Sequence, residues 1–268
     1  MIKILAVDMD DTCLNSKNRI SSKTLEALKM AAAAGIEVVP TTVRALSCLP
    51  HQLRGVDFIR YVITSNGAQI TDLKTNQTVY QSLIPMDTVC EVLERRREYG
   101  IVATIHVSNE VMIQGLFPTL IGRLSYGRDT AGVLYRKNLV KYLRENKLDV
   151  ESLQMFPLAP NSRAKTLALV DKEFPQLVAD SDGNHVDIYL RGNTKGAAVT
   201  ALAKHLGVDK AQIASIGDNA ENDSTMFAVS GMKFAMGNAE QALKDAADHV
   251  VATNDEDGVA EAIEKYLL

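Results

Sequence analysis

Asp8, Met9, Asp10, Asp11 and Thr12 follow directly on the apolar run Ile2, Ile4, Leu5, Ala6 and Val7. Two residues apart on extended chain, the Asp8 and Asp10 side chains project to the same side. Carboxylates held that close repel unless a cation lies between them or one keeps its proton, and either outcome is chemically useful. One acid there reads as a solvated strand end; D-x-D straight after an apolar strand points to a metal or nucleophile site. Three more polar clusters follow: Thr42 with Arg44 after the apolar run 36–41, Lys195 opening a helical pattern, and Asp218 with Asn222 and Asp223 after the run 212–217. Carboxylates, a hydroxyl and a lysine around one point supply what phosphoryl transfer needs: cation binding, donors for phosphate oxygens and an in-line nucleophile.

These clusters converge only if the elements before them are parallel strands of one sheet, whose carboxyl ends share an edge. The β-branched, continuous character of the first run fits a strand covered on both faces. A helix is expected after the Ser21–Ser22 cap, with Leu25, Leu28 and Ala32 at helical spacing and Gly35 closing it. Strands at 36–41 and 61–65 follow, with a helix carrying Leu46, Leu49 and Leu53 between them, interrupted near Pro50. This alternation predicts an α/β fold with a doubly wound parallel sheet.

From about Ser82 to Asp187 the rhythm changes. A helix with Val89, Val92 and Leu93 and a charged face from Glu94 to Glu98 precedes paired strand-like runs at 101–107 and 111–115. A basic helical stretch from Val133 to Lys147 and strands at 153–158, 166–170 and 186–190 are expected next. The mixture suggests an inserted α+β domain at 82–187, with residues 1–81 and 188–268 forming the core domain. The α/β rhythm returns with a helix at 195–206 capped by Thr194, strands at 212–217, 232–236 and 249–252, and a closing helix marked by Val259, Ile263 and Leu267.

Composition narrows the classes. The 268 residues are 46% hydrophobic and 23% charged, an ordinary globular balance. Lys plus Arg number 29 against 33 Asp plus Glu, a net charge of -4 that argues against nucleic-acid binding. Cys13, Cys48 and Cys90 fit neither a disulfide framework nor a zinc site and read as reduced thiols. No signal-peptide core or membrane-length apolar run is visible, so a soluble cytoplasmic protein is expected.

Asp8-Met9-Asp10-Asp11-Thr12, Thr42 with Arg44, Lys195-Gly196, and Gly217-Asp218 followed by Asn222-Asp223 together resemble the four motifs of the haloacid dehalogenase superfamily, in their usual order. The insertion, Asn66-Gly67-Ala68, Gly237-Asn238-Ala239 and 254–259 are similar to the Cof-type sugar-phosphatase-like branch. The resemblance implies a magnesium-dependent phosphatase acting on a small phosphorylated metabolite, a sugar phosphate or related phosphomonoester, through an aspartyl phosphate. It implies Asp8 as nucleophile and Asp10 as acid and then base. Magnesium would be held by Asp8, the Asp10 carbonyl and Asp218. Thr42, Lys195, the Met9 and Val43 amides and Asn222 would hold the phosphate. Asp223 would orient Lys195 or a metal-bound water, and the insertion would be a C2B-type cap.

Three departures stand out. Asp11 occupies the usual Gly position, Val43 replaces the Gly of T-G-R, and the spacing NAEN between Asp218 and Asp223 leaves open which of Asn222 and Asp223 takes each role. A phosphomutase on the same scaffold, or a catalytically weak phosphate-binding relative, are the alternative functions. A signalling receiver module shares the residue types but has no room for the insertion. Arg44 divides evenly between a surface salt bridge and a structural role, Asn66 reads as a turn former, and the five histidines show no metal-ligand spacing. Cap arginines such as Arg123, Arg128 and Arg136 read as solvated helix faces. Physiological substrate, specificity residues and oligomeric state are not legible.

Overall fold

The computed structural model describes all residues except 96–100, 160 and 182–184. The expected charged face from Glu94 to Glu98 thus passes beyond the described residues after Arg95. In chain order, strand β1 (Ile4–Asp8), helix α1 (Ser22–Ala33) and strand β2 (Glu37–Thr41) come first. Ser21 caps α1 by accepting from the Thr24 N–H at 3.0 Å. The helix expected around Leu46 to Leu53 is two single turns, Leu46–Cys48 and His51–Leu53. Pro50 separates them: Leu49 before it is extended (φ -59, ψ 149), as a following proline ring demands. Strands β3 (Tyr61–Thr64), β4 (Gln69–Asp72) and β5 (Gln77–Gln81) complete this part.

Next come helix α2 (Met86–Arg95), strands β6 (Ile101–Val107) and β7 (Glu110–Gln114), helix α3 (Leu116–Tyr126), strand β8 (Val133–Arg136), helix α4 (Leu139–Asn146), strand β9 (Ser152–Pro157), helix α5 (Ser162–Glu173), and strands β10 (Leu177–Asp180) and β11 (Val186–Leu190). The chain closes with helix α6 (Lys195–Leu206), strand β12 (Ile213–Gly217), helix α7 (Ala220–Val229), strand β13 (Met232–Ala235), helix α8 (Gln241–Ala246), strand β14 (His249–Val250) and helix α9 (Gly258–Ala262).

Two compact units emerge. The first comprises Met1–Val43, Gln52–Gln81 and Thr194–Leu268. Its eight-stranded sheet runs β14-β13-β12-β1-β2-β3-β4-β5, parallel as far as β3 and then antiparallel. Helix α6 lays Ala198, Val199 and Leu202 against Ile4, Ala6, Val39 and Ile63. Leu5, Val7 and Val38, which alternate with these, are as fully buried, so both faces of the sheet are covered. The β4–β5 hairpin at the edge was not expected from the sequence pattern.

The second unit comprises Arg44–His51 and Ser82–Asn193, so β11, which the sequence reading splits at 187/188, lies wholly within it. Its six-stranded sheet has the order β10-β11-β9-β6-β7-β8. Ser108 (φ 53) and Asn109 (φ 69) form the two-residue turn between β6 and β7, left-handed at both positions as strand twist favours. One sheet face packs Ala103, Ile105, Leu153, Met155 and Ile188 against α2, α4 and α5.

Two expected elements differ. The predicted helix from Val133 to Lys147 is strand β8 followed by α4: Val133, Leu134 and Tyr135 pair in parallel with β7, and Asn138 caps α4 through the Lys141 N–H. The predicted strand 166–170 lies inside α5, where Ser162, Thr166, Leu169 and Val170 are buried at helical spacing. Burial periodicity, not the β-branched composition of that run, decides it.

Candidate active site

Register places the polar clusters of the first unit side by side. Asp8 pairs with Thr41 across β1 and β2, and Val7 pairs with Ile216 of β12. Asp8, Thr42 and Asp218 therefore leave the sheet at one edge. Asp8 is buried, and its Oδ1 accepts from the Lys195 ammonium at 2.5 Å. Lys195 also donates to Asp223 Oδ1 at 2.7 Å. Asp223 Oδ2 accepts the N–H groups of Asp218 (2.9 Å) and Asn219 (3.1 Å). Both oxygens of Asp223 are thus engaged, one on the lysine and one on the turn that carries Asp218.

The local sequence explains how these side chains arrive. Thr194 caps α6 by accepting from the Ala197 N–H, which sets Lys195 in the first turn. Gly196 beside it lets α6 close on α7: a Cβ there would lie 2.0 Å from the Thr225 carbonyl oxygen. Asn219 caps α7 through the Glu221 and Asn222 N–H groups, which turns Asp223 back toward the strand end.

The turn after β1 is not helical at its centre. Asp10 is extended (φ -71, ψ 133) and Asp11 is left-handed (φ 54, ψ 6). Asp11 so adopts the conformation glycine ordinarily supplies, as short polar side chains tolerate. Its carbonyl accepts from the Asn238 amide at 2.8 Å. Thr12, to which the sequence assigned no role, donates its hydroxyl to Asp218 Oδ1 at 2.8 Å. The D-x-D-x-T spacing carries that signal, but the partner lies 206 positions away.

Thr42 is buried, donating its N–H to the Ile63 carbonyl at 3.0 Å and accepting from the Asn66 N–H at 3.1 Å. Asn66 itself is left-handed (φ 55), consistent with a turn-forming role. Val43 is half-buried and not left-handed, and Met9 is buried at the start of the acidic turn. Asn222 is half-buried in the first turn of α7, its carbonyl accepting from the Thr225 hydroxyl. Arg44 lies in the second unit, 3.7 Å from Asp129 and with Cys48 O as a further partner.

Burial and the pairing of opposite charges together set the electrostatics. Burial pushes the Asp8 carboxyl well up, outweighing the attraction of Lys195, with Asp223 and Asp218 adding repulsion. Asp218 is pushed up to about 6 by burial, against the Thr12 hydrogen bond, with Asp223 and Asp11 repelling it further. Lys195 is pushed up: the carboxylates of Asp223 and Asp8 outweigh its burial. Carboxylate oxygens of Asp8, Asp218 and Asp223 lie within 4.8 Å of one another. Oxygen donors with surplus negative charge suit a hard divalent cation. Because both oxygens of Asp223 are engaged by the lysine and the turn, Asp8 and Asp218 are the carboxylates better placed to serve one, and this oxygen donor set fits such a cation. No other such cluster of His, Cys, Asp or Glu occurs among the described residues. His51 pairs with Asp129, and His249 stacks on Tyr266.

Comparison with known proteins gives an independent view. Residues 5–263 match the model of the haloacid dehalogenase-like hydrolases. The chain is 28% identical over 270 residues to 5-amino-6-(5-phospho-D-ribitylamino)uracil phosphatase YcsE of Bacillus subtilis (strain 168), covering 100% of this chain and 96% of that one. Among solved structures, a haloacid dehalogenase-like hydrolase from Bacteroides thetaiotaomicron superposes with a TM-score of 0.88 at 25% identity, covering 99% of each chain. The HAD subclass IIB sugar phosphatase BT4131 shares the fold with a TM-score of 0.82 at 23% identity over 98% of each chain.

Proposed function

Because the chain belongs to the haloacid dehalogenase-like hydrolases and is a phosphoric monoester hydrolase, we propose that it is a magnesium-dependent phosphatase working through an aspartyl phosphate on Asp8. The observation that carries this reading is the buried Asp8–Lys195–Asp223 chain with Asp218 beside it. Lys195 holds Asp8 Oδ1, which leaves Oδ2 to attack phosphorus. The ester P–O bond breaks as Asp10 gives a proton to the leaving oxygen. Asp10, now a carboxylate, takes a proton from water, which attacks the phosphoryl group and restores Asp8 with release of inorganic phosphate. Thr42, Lys195, Asn222 and the Met9 and Val43 amides hold the phosphoryl oxygens. Asp8, Asp218 and the Asp10 carbonyl would hold magnesium, which when bound neutralises the phosphate charge and screens the two carboxylates from each other.

The substrate of this reading is a small phosphorylated metabolite, a sugar phosphate or related phosphomonoester, and the second unit is its cap. A relative is named for a phosphorylated ribitylamino-uracil, so polyol phosphates bearing a ring belong in the screen. Among the described residues no helix is long and apolar enough to cross a membrane. Cys13, Cys48 and Cys90 are buried thiols outside any disulfide among the described residues, in keeping with a cytoplasmic location.

The test is phosphate release from p-nitrophenyl phosphate with magnesium. Asp8→Asn should lower turnover at least about a thousandfold with the fold retained. Activity comparable to wild type would remove Asp8 as nucleophile. EDTA should abolish turnover and magnesium restore it; full activity in metal-free buffer would overturn the cation assignment.

A further inference from the structure

Alternation along β6 sends Ala103, Ile105 and Val107 into the helix-covered core of the second unit, so Val102, Thr104 and His106 face the opposite side. The same alternation puts Ser152, Gln154 and Phe156 of β9 and Asp187 of β11 on that opposite face. Thr104 pairs with Gln154, and Gln154 with Asp187, so the three form one row across adjacent strands. Along this face lies a cavity of about 450 Å³, walled by Val102, Thr104, Gln154 and Phe156 from the sheet and by Phe117 and Ile121 from α3. Gly122 is where α3 meets the sheet: a Cβ there would fall 2.5 Å from Ile113 Cδ1.

Two features of this sheet face call for an occupant. Thr104 Oγ1, at the cavity, and Ser152 Oγ and Asp187 Oδ1, on the same face, are buried with no hydrogen-bond partner among the described residues, although Thr104 and Ser152 are only 2% and 1% exposed. Native interiors rarely leave such groups unpaired, because each lost hydrogen bond forfeits hydration without return. Phe117, Ile121 and Leu158 at the same cavity are meanwhile 72%, 49% and 73% exposed, an apolar lining facing solvent. Phe156 and His185 lie 5.5 Å apart with ring planes 30° from parallel, and His185 is tied to Asp187 Oδ2 at 3.0 Å.

We propose that this cavity binds a planar nitrogen heterocycle, its faces against Phe156, Phe117 and Val102 and its edge on Gln154 and Thr104. The Gln154 amide oxygen accepts an N–H of the ring edge, while the Gln154 amide N–H and the Thr104 hydroxyl engage the heteroatoms beside it. A polyol would bury hydroxyls against the aromatic and aliphatic walls. A purely aliphatic ligand would leave the polar row unpaired. The site goes beyond the phosphatase reading, since the ring is either the non-phosphate part of the substrate or a separate ligand.

The experiment is a calorimetric titration of the full chain with uracil and adenine, with ribitol as the polyol control. At least one ring should bind saturably in the millimolar range or better, and ribitol should not. Thr104→Val and Gln154→Leu should each weaken ring binding about tenfold, the loss of one hydrogen bond, and leave turnover of p-nitrophenyl phosphate unchanged. A competitive rise in KM on adding the ring assigns it to the substrate. A change in kcat at constant KM assigns it to a separate ligand. Absence of saturable binding by either ring, binding insensitive to both substitutions, or equal binding of ribitol would overturn the site. Should Thr104→Val fail to fold, Phe117→Ala, at an exposed position, carries the same test. Ring binding needs no turnover, so its failure and that of the phosphatase reading are separately visible.

Discussion

Lys195 sits between two carboxylates that would otherwise repel, and all three side chains are buried. Removing the cation leaves uncompensated charge, so Lys195→Met should cost about 3–5 kcal/mol of stability, read by urea denaturation, and abolish phosphatase turnover. His106 offers a separate check. It is fully buried, and desolvation pulls its pKa down to about 4, against a smaller opposing pull from Asp187. The folded state therefore binds fewer protons than the unfolded state between about pH 4 and 6.5, and stability falls as pH drops through that window. Between pH 7.5 and 5.0 the loss from this group should be about 2 kcal/mol, and His106→Gln should flatten that part of the urea-midpoint profile. That Asp8 and the Asp218–Asp223 cluster would meet was legible in the sequence because charge at the end of an apolar run is costly unless used, and Lys195 because a cation at a helix start calls for an anionic partner. The Thr12–Asp218 bond was not, because a hydroxyl is unremarkable until its distant partner is known.

The elements that aim these side chains depend on close approach at glycine. At Gly196 a methyl group would collide with backbone rather than with a yielding side chain, so Gly196→Ala should part α6 from α7 and draw Lys195 from Asp8. We expect a drop of several degrees in Tm, with kcat falling more than KM rises, since Lys195 moves while the rest of the edge stays. The strands bearing the site were readable from their continuous apolar character. Helix α5 was not, because its Thr-Leu-Ala-Leu-Val run mimics a buried strand, and only the spacing of Ser162, Thr166 and Val170 over a longer window shows its period. Strand β8 hid within a basic stretch because its pairing with β7 is non-local.

On the scale of the whole molecule, the second unit is entered twice, at Arg44–His51 and again at Ser82–Asn193. Ala45 and Cys48 from the first visit are buried with Val111, Ile113 and Val133 from the second. The change of rhythm near Ser82 was legible, but the shorter visit was not, since eight residues between two strands look like any connection. Because β5 and α6 are neighbours, a short Gly-Ser linker can replace Ser82–Asn193. That excision alone should bare Ala45 and Cys48 and give aggregating protein by size-exclusion chromatography. Adding Ala45→Ser and Cys48→Ser should restore a monodisperse peak.

Asp8 and Lys195 are 187 positions apart, which has a bearing on biosynthesis. At ribosomal rates of roughly 5–20 residues per second, on the order of ten to forty seconds separate their emergence. During that delay the nascent first strand carries its acids without their ammonium and lacks β12 along one side. Closure of the Asp8–Lys195–Asp223 cluster belongs to the last quarter of translation, and a chaperone guarding the early segment would meet an apolar strand edge ending in negative charge.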